Sequence, residues 1–267
     1  MNAEGIIRKM VTHLDKSGVA QYSIPIGDQS IPLNKYIGSK LTLHHKGVIH
    51  CVSCGVKIKK TFNQGHCFMC SQTLASCDIC IVKPELCHYD KGTCREPTWG
   101  EKHCMIPHTV YLANSSGLKV GVTRTHQQLT RWIDQGASQA IKIAETPNRL
   151  YAGQVEVVLK SLLDDKTNWR KMLKGQPESI DLQELRETYQ KEIPAHVHIK
   201  LENIEEATEI QYPVNKYPEK ISSLNLDKAP EISSKLNGIK GQYLIFESGV
   251  INIRKYAGYQ LEIISEN

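Results

Sequence analysis

The residues best suited to bind a metal are the cysteines, because all nine lie between Cys51 and Cys104. The first four follow the pattern Cys51-x2-Cys54-x12-Cys67-x2-Cys70. Two CxxC pairs at this separation are typical of zinc sites, since each pair forms a tight knuckle and two knuckles supply four sulfur ligands. Four protein ligands leave no open coordination position, so the spacing predicts a structural zinc rather than a catalytic one.

The remaining five cysteines predict a second zinc with less definite ligands. Cys77-x2-Cys80 is a further knuckle that needs two more ligands. The predicted set is Cys77, Cys80, Cys94 and Cys104. Three other residues compete for the later positions, with the first as the main rival: Cys87, His88 and His103.

The chain between the first two knuckles, VKIKKTFNQGH, predicts a zinc-ribbon hairpin that turns near Asn63-Gln64-Gly65. It carries Lys57, Lys59 and Lys60. This basic tip indicates a possible phosphate contact, and a lysine run that only faces solvent is the competing interpretation.

Composition indicates a folded protein, because 23% of the residues are charged and 40% are apolar. The net charge of +5 is compatible with a nucleic-acid partner without requiring one. The sequence has no apolar run of the roughly 18 residues that span a bilayer, and its N-terminal segment lacks the apolar stretch of a signal peptide. We therefore expect a cytoplasmic protein, in which reduced thiols favour metal ligation over disulfides.

Strand patterns lie at both ends of the chain, around a middle part with helical patterns. The predicted strands are YSIPI, SIPL and KLTLHHKGVIH before the cysteines, and HVHIKL, TEIQYPV, GQYLIF, GVINIRKY and YQLEII after residue 195. Ser179 is the predicted cap of a helix in IDLQELRETYQK. Residues 38–49 resemble residues 241–251, which indicates either a β-rich unit present twice, with its copies packed together, or a chance likeness of two hairpins.

A second group of residues that could take part in chemistry follows the cysteines. A predicted strand ends at Tyr111, a Ser-Ser-Gly turn follows, and a second strand contains Lys119 and Gly121. Arg131 lies on the predicted helix QQLTRWIDQG, and Glu156 lies on a later one. Tyrosine, arginine and a carboxylate suit phosphodiester cleavage, which needs an activated water, a metal ion and stabilisation of negative charge.

This order of motifs resembles the GIY-YIG nuclease superfamily, a small α/β fold with a three-stranded antiparallel sheet. Residues 109–111 are similar to its first strand motif, and residues 119–121 are similar to its second, with Lys119 where a tyrosine is usual. The resemblance implies that Tyr111 positions water, that Arg131 contacts the scissile phosphate, and that Glu156 holds Mg²⁺ or Mn²⁺. A protonated Lys119 would bind phosphate but act poorly as a base.

Each of these residues also has an ordinary structural interpretation. Tyr111 could be a half-buried strand aromatic, Arg131 could stack on Trp132, and Glu156 could face solvent from its helix. His126 is a further candidate base or phosphate ligand by its position alone.

The whole chain also resembles an uncharacterised bacterial family with a conserved domain of unknown function. The strings that carry this resemblance are CVSCGVKIKKTFNQGHCFMC, CDICIVKPELCHYDKGTCREPTWGEKHC and VYLANSSGLKVGVTR. It implies bacterial origin and bound zinc.

The combined prediction is an α+β protein in four parts. A β-rich unit at 1–50 precedes a zinc-binding module at 51–108, a GIY-YIG-like domain at 109–175, and a linker helix with a second β-rich unit at 176–267. The predicted function is metal-dependent endonuclease action on DNA or RNA, with two structural zincs. The alternatives are a non-catalytic nucleic-acid-binding protein and a zinc-based protein-interaction scaffold.

Overall fold

The computed structural model describes residues 1–163, 166–201 and 206–266. Within these ranges the chain forms strands in three antiparallel sheets together with six α-helices, which confirms the predicted α+β class. No helix among the described residues combines the length and apolar character needed to cross a membrane.

The regular elements are as follows in chain order. The first part of the chain contains β1 Asn2–Ile6, β2 Val11–Leu14, β3 Ala20–Ile26, β4 Gln29–Pro32, β5 Lys40–His50, β6 Lys57–Ile58 and α1 Phe68–Thr73. The middle contains α2 Pro97–His103, β7 His108–Asn114, β8 Leu118–Arg124, α3 Gln128–Asp134, β9 Gln139–Thr146, α4 Arg149–Lys160, α5 Trp169–Met172, α6 Leu182–Gln190 and β10 Thr208–Glu209. The last part contains β11 Glu231–Lys240, β12 Tyr243–Phe246, β13 Gly249–Asn252 and β14 Tyr259–Glu266.

The chain divides into two compact units. Unit 1 comprises Met1–Ser71, Leu173–Gly175 and Ile210–Asn267, and unit 2 comprises Gln72–Met172 and Gln176–Glu209. The boundary after Ser71 falls inside residues 51–108, so the first four cysteines belong to unit 1 and the last five belong to unit 2.

Unit 1 is built around a seven-stranded sheet in the order β1-β14-β5-β11-β12-β13, to which β6 adds at β5. Leu43 of β5 lies opposite Ile232 of β11 and Ile263 of β14, and all three side chains are buried. The alternating apolar positions of β5 therefore anchor the sheet centre. Strands β2, β3 and β4 form a separate antiparallel sheet in the same unit.

The expectation that the chain ends pack together is confirmed, since β1 pairs with β14. The proposed repeat is wrong as a structural repeat. Residues 40–50 form one continuous strand, whereas residues 243–252 form the β12–β13 hairpin. The likeness of the two segments therefore reflects glycine placement and apolar content rather than a shared element.

The strand predictions are confirmed for β3, β4, β5, β12, β13 and β14, and β5 has the predicted bounds. The prediction for HVHIKL is wrong, because the only pairing in residues 196–201 is an isolated bridge between Glu145 and Lys200. Most of TEIQYPV is not a strand either, since β10 ends at Glu209.

The N-cap of α6 lies two residues later than predicted. Asp181 caps α6, because its Oδ1 accepts hydrogen bonds from the backbone N–H groups of Gln183 (2.9 Å) and Glu184 (3.1 Å). Ser179 instead accepts a hydrogen bond at Oγ from Nε2 of Gln139, at 2.9 Å.

Unit 2 contains a four-stranded sheet in the order β10-β9-β7-β8. Every residue of the central strand β7 is buried. One face packs on α4 and α6 through a core that includes Val110, Leu112, Ile141 and Val155. Because side chains alternate along β7, Tyr111 lies on the opposite face, where its ring packs edge-on against Trp132 of α3.

Candidate metal centres and a buried polar cluster

The first cysteine pair lies where β5 ends and the chain turns back as β6. The N–H of Cys51 donates to the carbonyl of Val56 (2.9 Å), and the N–H of Gly55 donates to the carbonyl of Cys51 (3.0 Å). Gly55 has a φ of 74°, which favours glycine at this point of the turn. The short hairpin presents Cys51 and Cys54 as one knuckle.

The second pair follows a tight turn at the predicted position. Phe62 and His66 exchange backbone hydrogen bonds of 2.8 Å around Asn63 and Gln64, which both have positive φ. A Cβ at Gly65 would lie 2.5 Å from Cγ1 of Val52, so glycine is required there. The predicted turn is confirmed, but the segment is not one hairpin, because Lys57–Ile58 pairs back onto β5.

The four sulfur atoms of Cys51, Cys54, Cys67 and Cys70 lie within 4.8 Å of one another. A tetrahedral zinc with Zn–S bonds of about 2.3 Å would place its sulfurs about 3.8 Å apart. The Sγ atoms of Cys54 and Cys67 are 3.8 Å apart. The donor set therefore fits a zinc ion, and this cluster could bind one.

The backbone around this cluster favours the thiolate form of Cys51. Burial opposes ionisation of Cys51, but hydrogen bonds from the backbone around Cys54 and Cys67 outweigh burial and lower its pKa to about 6. The N–H of Cys67 donates to Sγ of Cys51 at 3.2 Å. Because all four donors are thiols, a bound zinc would have no open position for substrate.

A second group of cysteines lies in unit 2, around one small cavity. The cysteines among its lining residues are Cys80, Cys87, Cys94 and Cys104. Three members of the predicted second set thus line the same cavity as the main rival, Cys87. Cys77 ends the preceding 3-10 turn, Ala75–Cys77, and is not among the described residues that line the cavity.

Two histidines were rivals for this second site. His103 stacks on Trp99 with ring centroids 4.1 Å apart, and its Nδ1 lies 2.8 Å from the Trp99 carbonyl oxygen. His88 lines the cavity, and ligand atoms of Asp78, Cys80 and His88 lie within 4.8 Å of one another. A metal at this second position is therefore possible with more than one donor set.

Asp78 already has strong partners in unit 2. Its Oδ1 accepts the N–H of Cys80 at 3.2 Å, and its Oδ2 lies 2.7 Å from Nε of Arg95. Burial disfavours the charged carboxylate, but the Cys80 N–H and the Arg95 guanidinium outweigh burial and lower the pKa of Asp78.

Three of the predicted nuclease-like residues, Tyr111, Lys119 and Arg131, come together on the α3 face of the unit 2 sheet. The Tyr111 hydroxyl donates to Oε1 of Gln135 at 2.8 Å, and Nζ of Lys119 donates to the same oxygen at 2.6 Å. Arg131 hydrogen-bonds the Tyr111 hydroxyl. Glu156 interacts electrostatically with Tyr111. We call Tyr111, Lys119, Arg131, Gln135 and Glu156 the Tyr111 cluster.

Glu156 is buried on α4, with 8% of its surface exposed. Nζ of Lys160, one helical turn later, lies 3.3 Å from its Oε2. Its alternative interpretation as a solvent-facing helix residue does not match this burial. A buried carboxylate needs a cation or hydrogen-bond donors, and Lys160 provides one such partner.

Solvent does not reach the tyrosine of the Tyr111 cluster. Tyr111 is fully buried, and burial raises its pKa above the ordinary value of 10. At neutral pH the phenol is therefore protonated and can donate a hydrogen bond but cannot accept a proton. His126, the further candidate base, is exposed in the 3-10 turn Thr125–Gln127.

Gln135 is the member that sequence reasoning missed. It follows the last residue of α3, and its side-chain oxygen receives both the tyrosine and the lysine. A glutamine at a helix end matches no motif, so only the spatial arrangement identifies it.

A second polar chain that the sequence did not indicate lies near the cluster in unit 2. The Thr109 hydroxyl donates to Thr125 (3.2 Å), and Thr125 donates to Oε2 of Glu145 (3.1 Å). Nζ of Lys142, which is the residue opposite Tyr111 in β9, also donates to Oε2 of Glu145 at 3.1 Å. Glu145 is thus a second carboxylate on this sheet, already paired with a lysine.

The fold and these sites define an α+β protein with a four-cysteine cluster that could bind one zinc and a buried polar cluster on a separate sheet. The family model described as "Protein of unknown function (DUF2797)" matches residues 38–261, and the chain belongs to this family. No curated protein and no solved structure matches the chain. The predicted likeness to a family of unknown function is confirmed, and the likeness to GIY-YIG nucleases stays a prediction.

Proposed function

We propose that this chain is a zinc-containing protein that binds single-stranded nucleic acid through a surface beside its first four cysteines. The proposal is carried by a set of side chains beside the four-cysteine site. These side chains, which we call the knuckle surface, are Lys57, Lys59, Lys60, Phe62 and Phe68.

Aromatic rings on the knuckle surface support single-stranded nucleic acid as the ligand. Phe68 is 55% exposed, and its ring packs edge-on against Phe62 with centroids 5.5 Å apart. A large apolar ring is costly to leave in water, and exposed aromatics beside cations are the usual platform on which unpaired bases stack. Nζ of Lys60 lies 5.2 Å from the centroid of the Phe62 ring.

Charge complementarity supports a polyanion as the partner. The chain has 28 acidic residues, but none falls between Asp28 and Asp78, a stretch that holds six lysines. Lys57, Lys59 and Lys60 are exposed. Three exposed lysines close together in sequence attract phosphates.

The direct test is binding of a fluorescent single-stranded oligonucleotide, measured by anisotropy for the wild type and for Phe68→Ala. Loss of one stacking platform should weaken binding about tenfold, because base stacking contributes about 1–3 kcal/mol per base. Leu129→Ala is the matched control, since Leu129 is an exposed apolar residue of unit 2. Equal affinities for all three proteins, or equal preference for duplex, would contradict the proposal.

The second candidate function is metal-dependent phosphodiester cleavage at the Tyr111 cluster. It is favoured by one observation, the proximity of Tyr111, Lys119, Arg131 and Glu156 in space. These residues also follow one another along the chain in the order that the nuclease resemblance requires. Mg²⁺ or Mn²⁺ held by Glu156 would supply an activated water and charge stabilisation. Arg131 would bind the scissile phosphate, and Lys119 would add a second cation.

Two features of the cluster place cleavage second to binding. Tyr111 is buried and protonated at neutral pH, so it cannot act as a base in this arrangement. Gln135 occupies the hydrogen-bonding positions of both Tyr111 and Lys119. Cleavage would require Gln135 to move away so that substrate could reach the two donors.

Cleavage is tested by incubating the full chain with supercoiled plasmid, single-stranded DNA and structured RNA in Mg²⁺ or Mn²⁺. Metal-dependent cuts that disappear in both Arg131→Ala and Glu156→Gln would support catalysis. No cleavage of any substrate would refute it and leave the binding function standing. A chain that neither binds nor cleaves nucleic acid would support the scaffold alternative.

A further inference from the structure

Unit 2 contains a stretch that has little regular structure to hold it together. Between Gln72 and the start of α2, the chain consists of four 3-10 turns: Ala75–Cys77, Ile79–Ile81, Pro84–Leu86 and Tyr89–Lys91. Turns of this length are not stable alone, and small segments with few apolar side chains are commonly held by metal ions. A metal is therefore a physical reason for this stretch to be ordered.

Three cysteines from this stretch and one that follows α2 converge on one cavity. All four line it. Cys80 lies in the turn Ile79–Ile81, and Cys87 directly follows the turn Pro84–Leu86. Cys94 precedes α2, and Cys104 follows it. Cys87 and Cys104 are hydrogen-bonded through their side chains, and Cys80 interacts electrostatically with both. These three cysteines therefore interact with one another at the cavity.

Cys94 is brought to the same cavity by the start of α2. Its sulfur would lie 3.2 Å from a Cβ placed at Gly100, and the Tyr89 ring would lie closer still. Only glycine at position 100 leaves room for the sulfur and the ring together.

We propose that unit 2 holds its own zinc ion, bound by Cys80, Cys87, Cys94 and Cys104, and that Cys77 is a free thiol. The ligands then follow the spacing Cys80-x6-Cys87-x6-Cys94-x9-Cys104. Four thiolate ligands again make the zinc structural. The nearby CxxC pair of Cys77 and Cys80 contributes only its second member.

The surrounding charges suit this ligand set. A zinc ion with four thiolates carries a net charge of about −2, which needs cations when it is buried. The guanidinium of Arg149 interacts electrostatically with Cys80, Cys87 and Cys104, and its Nε donates to the Cys80 carbonyl at 3.0 Å. Arg124 also interacts electrostatically with Cys104.

The competing donor set is Asp78, Cys80 and His88. The Asp78 carboxylate is already paired with Arg95 at 2.7 Å, and Nδ1 of His88 lies 2.7 Å from the Thr93 hydroxyl. These contacts engage Oδ2 of Asp78 and Nδ1 of His88, which leaves Nε2 of His88 as the atom that a metal could use. The zinc content of a variant without His88 therefore distinguishes the two donor sets.

The test is the zinc content of purified full-length variants, measured by elemental analysis. The wild type should hold two zincs per chain, Cys87→Ser should hold one, and the matched control Cys77→Ser should keep both. His88→Gln should also keep both. The proposal is overturned if Cys77→Ser or His88→Gln loses a zinc, or if Cys87→Ser retains two.

A second measurement on the wild-type chain applies if Cys87→Ser does not fold. Maleimide labelling of the native protein, mapped by mass spectrometry, should modify Cys77 alone, because zinc-bound sulfurs react slowly. After a chelator removes the metal, the other eight cysteines should react as well. Labelling of Cys87 or Cys94 before chelation, or protection of Cys77, would contradict the ligand assignment.

Discussion

Gly121 lies directly opposite Tyr111 in the β7–β8 ladder, and a Cβ at position 121 would lie 2.5 Å from the Tyr111 hydroxyl oxygen. The tyrosine side chain therefore lies across the neighbouring strand, over a position that only glycine leaves open. This pair explains in physical terms why the two strand motifs occur together, since the glycine of one provides the space for the aromatic ring of the other.

Replacement of Gly121 by alanine should destabilise the protein by about 1–3 kcal/mol, because the added methyl group would force the buried Tyr111 ring out of place. Gly175→Ala is the control, since a Cβ there meets nothing within 4 Å. Its effect should stay within about 1 kcal/mol. Urea denaturation of both variants checks this, and equal effects would contradict the close packing of the pair.

Gln135 should matter more to stability than the tyrosine hydroxyl that it binds. Gln135→Leu removes the acceptor shared by Tyr111 and Lys119 and should cost about 1–3 kcal/mol, because two buried donors lose it. Tyr111→Phe removes the hydroxyl but leaves Lys119 bound to Gln135, and the other partner of the hydroxyl, Arg131, is only half-buried, so this change should cost about 0.5–1.5 kcal/mol. If Tyr111→Phe is the more damaging change in urea denaturation, the shared-acceptor arrangement is incorrect.

The four-cysteine cluster of unit 1 should lose its zinc when any one ligand is removed. Cys54→Ser is the informative variant, because Cys54 is exposed and its replacement disturbs little packing. Elemental analysis should find one zinc fewer per chain than in the wild type. Ser53→Ala, one residue earlier, should retain the full zinc content, and an unchanged content in Cys54→Ser would refute this site.

The buried Lys240 of unit 1 should make the stability of the protein depend on pH. Its side chain is fully buried, Nζ donates to the Gly175 carbonyl at 2.8 Å, and burial lowers its pKa from 10.5 to about 8. Because its folded pKa is depressed, the unfolded chain binds more protons between pH 8 and 10.5, and stability rises with pH across that window.

The comparison that isolates this effect is the wild type against Lys240→Met, which keeps the length of the side chain but does not titrate. The difference in unfolding free energy, wild type minus variant, should increase between pH 8 and pH 10. Other groups titrate equally in both proteins and cancel from the difference. A difference that is flat or falls with pH would show that Lys240 is not desolvated.

Local spacing was enough to predict some features of the molecule. The Cys51–Cys70 cluster follows from two knuckles that form almost independently of the rest of the chain, and β5 follows from strict apolar alternation. The turn at Asn63 and Gln64 was also predicted correctly, because Gly65 marks its end.

Other features depend on contacts between distant segments, which spacing does not encode. Cys77 and Cys80 have the spacing of a knuckle, yet the 3-10 turns place Cys87 beside Cys80 and Cys104 instead. Gln135 joins Tyr111 across 24 positions of sequence. Asp181 rather than Ser179 caps α6, because Ser179 is engaged by Gln139 of a distant strand.

If the knuckle surface binds the phosphates of single-stranded nucleic acid, the affinity must depend on salt through its three lysines. Anisotropy titrations over a range of salt concentrations should be compared for the wild type and for Lys57→Gln/Lys59→Gln/Lys60→Gln. The matched control replaces three other exposed lysines of unit 1 by glutamine: Lys216, Lys220 and Lys228.

For single strands, each phosphate contact contributes about 0.7 to the slope of log affinity against log salt. The knuckle triple variant should therefore bind more weakly and show a slope smaller by about 2, while the control variant keeps the wild-type slope. A knuckle variant with the wild-type slope and affinity would show that these lysines do not contact the phosphates.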